Sequence, residues 1–129
     1  MVITFTPTTG SAVTLAGADS NQFDQPIGLT MEARDVTQVT TIVRGTKPDV
    51  QNRMNREYSV SFSTERQYSD WAAAVAACNT HLTKFDLLGT VTLVQGATTV
   101  TINNARVSAR LMSITGAVTM WAYSITGTP

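Results

Sequence analysis

His81 is the one imidazole of the sequence and Cys78 the one thiol, so base or nucleophile chemistry would have to be built on them. A general base needs partners that orient it and pass its proton. No Ser or Asp stands at a spacing that ties it to His81, which reads as a surface or boundary residue of a helix. Cys78 falls on the apolar stripe of that helix. A nucleophilic thiol needs partial exposure and an electropositive setting, so Cys78 reads as a small buried hydrophobe. The carboxylates, from Asp19 to Asp86, are scattered. A glycosidase pair converges in space and not in sequence, and nothing favours any two of them. Asp19, Asn21 and Asp24 lack the glycine and closing Glu of a calcium loop. Gly45-Thr46-Lys47 lacks the upstream glycine of a phosphate loop, and Pro48 would break the helix that must follow. The sequence predicts no catalytic residue, no metal site and no cofactor.

Arg44, Lys47, Arg53 and Arg56 crowd residues 44–56, offset by Asp49 and Glu57. One reading is a solvated polar loop. The other is a loop that docks its Arg forks on an acidic or carbonyl-rich surface of a neighbouring subunit. Aromatic residues do not interleave with these cations, so they make no stacking platform for single strands. Lys plus Arg and Asp plus Glu are both 9, which leaves no basic footprint for sequence-specific nucleic-acid binding.

The elements that must position these residues are mostly strands. Thr and Val are abundant, and both suit a pleated surface. Residues 2–6 and 12–16 alternate as two short strands. Residues 17–25 form a polar loop anchored by Phe23. After Pro26, residues 27–31 and 36–43 read as a long bent strand or a tight hairpin. Residues 44–55 hold Gly45, Lys47-Pro48-Asp49, Asn52 and Asn55, all turn formers, and are expected to be a long loop. Residues 56–65 give the clearest strand, with Tyr58, Val60 and Phe62 on one face and Ser59, Ser61 and Ser63 on the other.

One helix is expected over residues 69–85, with Ser69 as N-cap and Asp70 favouring the dipole. Trp71, Val75, Cys78, Leu82 and Phe85 share one face of it. Strands return at residues 89–94 and 98–102 around a Gln95-Gly96-Ala97 turn. Asn103-Asn104 suggests another turn, and a hairpin closes at Thr115-Gly116. The last strand, residues 118–125, is apolar on both faces. Such a strand is central, or covered by a helix or another subunit, and Trp121 and Tyr123 join the four cations as interface candidates.

These elements predict a single domain over residues 1–129: mainly β, an antiparallel sandwich or open barrel with one flanking helix. The 129-residue length supports a core without disulfides. Charged residues are only 14%, which excludes a highly charged disordered tail. No leader or apolar span is apparent, which points to a chain made in the cytoplasm with no membrane partner.

The layout of Val43-Arg44-Gly45, a polar stretch, Tyr58-Ser59-Val60-Ser61-Phe62-Ser63-Thr64-Glu65-Arg66, the Ala-rich helix and Gly89-Thr90-Val91-Thr92-Leu93 resembles small structural proteins of tailed-phage and prophage tail modules. The ending Ala122-Tyr123-Ser124-Ile125-Thr126-Gly127 is similar. The resemblance covers residues 43–126, to the tail-tube and distal-tail group. It implies a non-catalytic virion subunit that assembles with copies of itself and with other tail or connector proteins, after synthesis in the host cytoplasm. The residues also permit a small ligand- or carbohydrate-binding sandwich, with Tyr58, Tyr68, Trp71, Trp121 and Tyr123 as a stacking platform.

Overall fold

The computed structural model describes residues 1–17, 24–45 and 47–129, with the backbone alone for 36–44 and 47–55. Phe23, Asp19 and Asn21 lie outside the described residues. The chain runs β1 (Val2–Pro7), β2 (Val13–Ala16), β3 (Ile27–Arg44), β4 (Lys47–Gln67), α1 (Trp71–Leu82), β5 (Gly89–Gln95), β6 (Thr98–Thr115) and β7 (Val118–Thr128). All seven strands join one antiparallel sheet in the order β2-β1-β5-β6-β7-β4-β3. The sheet is not closed by backbone pairing, and the helix lies on it, so the expected mainly-β class with one flanking helix holds.

β6 turns this long sheet into two layers. Its first half pairs with β5 up to Gly89↔Ala105, and its second half pairs with β7. The register shifts between Asn103 and Arg106, where Asn104 takes φ 48°. Asn tolerates that left-handed conformation better than most residues. Asn103-Asn104 is therefore a bulge inside one strand, where a turn was expected. Gly127 of β7 sits against this crossing, and a Cβ there would lie 2.7 Å from the Asn103 carbonyl oxygen.

The alternation read from residue 58 onward holds. Val60, Phe62 and Thr64 of β4 face the core with Trp121, Tyr123 and Ile125 of β7. Ile3, Phe5, Leu15, Val91 and Leu93 supply the opposing layer. β7 is central between β6 and β4; its Thr119, Trp121, Tyr123 and Ile125 are buried, while Val118, Met120 and Ala122 on the other face are half-buried.

Residues 44–55 are not a long loop. β3 runs unbroken to Arg44, Gly45 turns the chain with φ 64°, and β4 begins at Lys47 in register with it. The β-branched run of β3 offers a ladder to residues whose local chemistry favours turns, and the long-range pairing prevails. β7 pairs with β4 only as far as Tyr58↔Gly127. Residues 34–44 and 47–57 thus continue as a two-stranded ribbon beyond the rest of the sheet, for about 35 Å at the usual strand rise.

The helix also differs in detail. Asp70, not Ser69, is the N-cap, its Oδ1 accepting from the Ala73 amide at 2.7 Å, and Thr83 ends the helix before Phe85. The buried positions are Ala74 and Cys78, while Trp71 is 61% and Leu82 45% exposed. Small side chains let the helix approach the sheet closely, and the large ones are displaced to its shoulder.

Candidate functional site

Two places combine unusual chemistry or geometry: a polar network beneath the helix, and the ribbon. The network begins at Arg66, the next core-facing position of β4 after Phe62 and Thr64. Its Nη2 donates to Asp24 Oδ1 at 3.0 Å and to the Thr14 carbonyl at 3.4 Å, and its Nε donates to Asp24 at 3.2 Å. Asp24 is only 2% exposed. Burial works against the guanidinium charge, but Asp24 outweighs it and the net pKa shift is upward. The ion pair spans the two ends of the sheet, since β2 is one edge strand and β4 lies next to the other. The Gly17 amide also donates to the Asp24 carbonyl, which seats the chain around Asp24 beside β2.

His81 occupies the helix side of the network. Its Nε2 lies 2.6 Å from the Tyr123 hydroxyl, and Phe85, Trp121 and Tyr123 present rings around it, the nearest centroid at 4.8 Å. Burial, helped by the positive charges of Arg66 and Lys84, lowers the His81 pKa to about 4. Burial raises that of Tyr123, against smaller opposing effects of Arg66 and a hydrogen bond from Thr64. With the phenol protonated and the imidazole neutral, His81 Nε2 and the Tyr123 hydroxyl share one hydrogen bond, whose direction is set by the imidazole tautomer.

This pattern makes a histidine that is held, not poised. A base working near neutrality is tuned towards that range, and His81 is tuned away from it. Cys78 is buried, and desolvation raises its pKa despite Arg66. Among the described residues no three His, Cys, Asp or Glu side chains come together as a metal site. An open groove of about 450 Å³ beside the network is lined by Arg66, Tyr68, Ala76, Ala77, Thr80, His81 and Lys84.

The His81 environment predicts a pH dependence with a definite sign. Its pKa rises from about 4 folded to about 6.5 unfolded. The unfolded chain therefore takes up the proton first, and stability is full above pH 6.5 and lost as pH falls towards 4. Allowing for screening through the open groove, the loss is about 2 kcal/mol. Urea midpoints between pH 7 and 4.5 should fall more steeply for the native chain than for His81→Gln. Parallel slopes would contradict the assignment.

Of the six interface candidates, Trp121 and Tyr123 are 2% and 3% exposed and belong to the core. β7 is covered by its neighbours and by α1, so these rings face inward and are not available to a partner. Trp121 stacks on Tyr123 with centroids 6.2 Å apart, and Phe62 stacks on Tyr123 at 5.1 Å, inside the protein. Of the proposed stacking platform, Trp71 is the ring that is largely exposed. Arg44, Lys47 and Arg53 lie on the ribbon, and their side chains are outside the described residues. Arg56 is at the ribbon's base, 3.4 Å from Asp35, and Arg34 pairs with Glu57 at 3.5 Å. Such exposed pairs are each worth about 0–1 kcal/mol.

The ribbon's register sorts its residues by type. Thr37, Val39, Thr41 and Val43 oppose Met54, Asn52, Val50 and Pro48 on one face, which carries no charge beyond the Asp35–Arg56 pair at the ribbon's base. The other face carries Arg44, Lys47, Asp49 and Arg53. The uncharged face continues the core-facing side of β4. A two-stranded ribbon alone is marginally stable in water, and a further packing surface is the usual remedy.

Comparisons with family models, with curated proteins and with solved structures return no match to this chain. Among the described residues no helix is long and apolar enough to cross a membrane.

Proposed function

We propose that this protein is a non-catalytic structural subunit that works by assembling with copies of itself into a ring or tube. The observation that carries the reading is the ribbon of residues 34–44 and 47–57, which pairs with no other described strand of its own chain and whose one face is free of charge over residues 37–43 and 48–54, beyond the Asp35–Arg56 pair at its base. A chain that extends such a ribbon past its own sheet gains from having a second molecule cover it. The neutral, ring-enclosed His81 and the buried Cys78 support the non-catalytic part of the proposal.

The resemblance over residues 43–126 suggests the setting: a phage tail, as tube, distal-tail or connector ring, with the virion as destination and other tail or connector proteins as partners. Electron microscopy of the concentrated protein tests this. Rings or tubes of uniform diameter are expected, and fields of dispersed single particles would contradict the proposal.

A further inference from the structure

The edge of β6 is paired on one side and open on the other along half its length. β5 reaches only Ala105, so residues 106–115 pair with β7 alone. No other described backbone group outside the ladders bonds to this stretch. Its core-facing residues Ala109, Leu111 and Ile114 are only half-buried, unlike Val107, where the layers are still closed. The core is left unfinished along this edge.

The helix stands beside the same edge. Ala74, Cys78 and His81 form its seam against the sheet, and Ala77 and Lys84 flank that seam on the β4 side, where they line the groove with Arg66. At 100° per residue, Trp71, Val75 and Leu82 fall on the opposite shoulder, towards β6, on which α1 packs. Trp71 is 61% and Leu82 45% exposed. An open row of backbone donors and acceptors beside an exposed apolar shoulder is what an added strand needs. Ladder bonds supply affinity, and alternate side chains seat on the shoulder.

We propose that the open edge of β6 and the Trp71–Leu82 shoulder form the receiving site for the β3–β4 ribbon of a second copy of this chain. Three observations select this occupant. The open edge and each ribbon strand are both about ten residues long, so a full ladder is possible. Over residues 37–43 and 48–54, past the Asp35–Arg56 pair, the ribbon has one uncharged face rich in Val, Met and Pro to set against the shoulder. The ribbon leaves the sheet past Gly127, whereas the open edge runs from Arg106, opposite Thr126, away to Thr115, opposite Val118. A chain's own ribbon therefore extends away from its own edge, with β7 and β4 between them, and another molecule must fill the site. The contact is head-to-tail, so repetition yields a ring or a filament. In this arrangement the charged ribbon face lies on the same side as Arg106 and Arg110, which alternate outward from Val107 and Leu111. Cations then meet cations, and added salt should tighten the contact by about threefold.

This inference rests on the assembly reading, and the test separates the two. Trp71→Glu/Leu82→Glu alters exposed positions and should leave thermal unfolding of the isolated chain nearly unchanged. It should raise the concentration needed for assembly by about thirtyfold or more, the usual scale for losing a buried Trp anchor. Separately, Ser108→Cys chains are mixed with Thr40→Cys or Gln51→Cys chains and treated with a short bismaleimide. A mixed covalent pair is expected from at least one combination, and none when Ser124→Cys on β7 replaces Ser108→Cys. Assembly that persists in the double variant with no mixed pair would overturn the site while leaving self-assembly intact. Pairs of Ser108→Cys with itself would overturn it in favour of edge-to-edge β6 contact. A chain that never assembles would overturn both.

Discussion

Replacing Asp24 by Ala should lower the stability of the chain by about 3 kcal/mol. Asp24 is 2% exposed and takes two hydrogen bonds from Arg66, which has a quarter of its side chain in contact with solvent. Removing the carboxylate strands a cation between β2 and β4. The cost sits at the low end of the range for broken buried pairs because Arg66 can still reach water. For a domain of this size the expected fall in melting temperature is about 10 °C. The paired change Asp24→Leu/Arg66→Met removes both charges and should recover most of the loss, since an apolar pair carries no stranded ion. Chemical denaturation of the three variants checks this. A loss below about 1 kcal/mol for Asp24→Ala would show that the pair does not hold the ends of the sheet together.

Truncating the ribbon should abolish assembly without unfolding the subunit. Asp35 and Arg56 are direct cross-strand partners, so residues 36–55 can be replaced by an Asn-Gly turn that closes the hairpin there. β4 keeps its pairing with β7 from Tyr58 onward, and the described core draws on β4 from Tyr58 onward. The truncated chain should melt within a few degrees of the native one while its self-association weakens by about a hundredfold or more, as expected when a whole contact surface is lost. Light scattering over a concentration series reads the second effect and circular dichroism the first. Unaltered association after truncation would remove the ribbon from any role in assembly.

Sequence pattern revealed the strands wherever one face is buried. The Tyr58, Val60, Phe62 alternation and the hairpins at Gly96 and Gly116 depend on residues close together in the chain, and the structure contains them. Residues 44–55 misled because turn propensity is local, whereas the pairing that overrides it comes from residues 36–44 across the ribbon. The helix was legible, but its buried face was not. Counting large apolar residues points to Trp71 and Leu82, while close packing on a sheet selects Ala74 and Cys78. The Asp24–Arg66 pair was half visible: carrying the β4 alternation two residues past Thr64 places Arg66 on the core side. Its partner lies far away in sequence, and no spacing announces it. The open edge of β6 depends on where β5 stops, which only the register reveals.

Sedimentation of the full 129-residue chain, from low micromolar to millimolar concentration, tests the central claim most directly. The account predicts mass rising with concentration towards a closed multiple or an open series, with emission from Trp71 shifting to shorter wavelength as its shoulder is covered while buried Trp121 stays constant. A single monomeric boundary at every concentration and salt level, with Trp71 still in water, would contradict it.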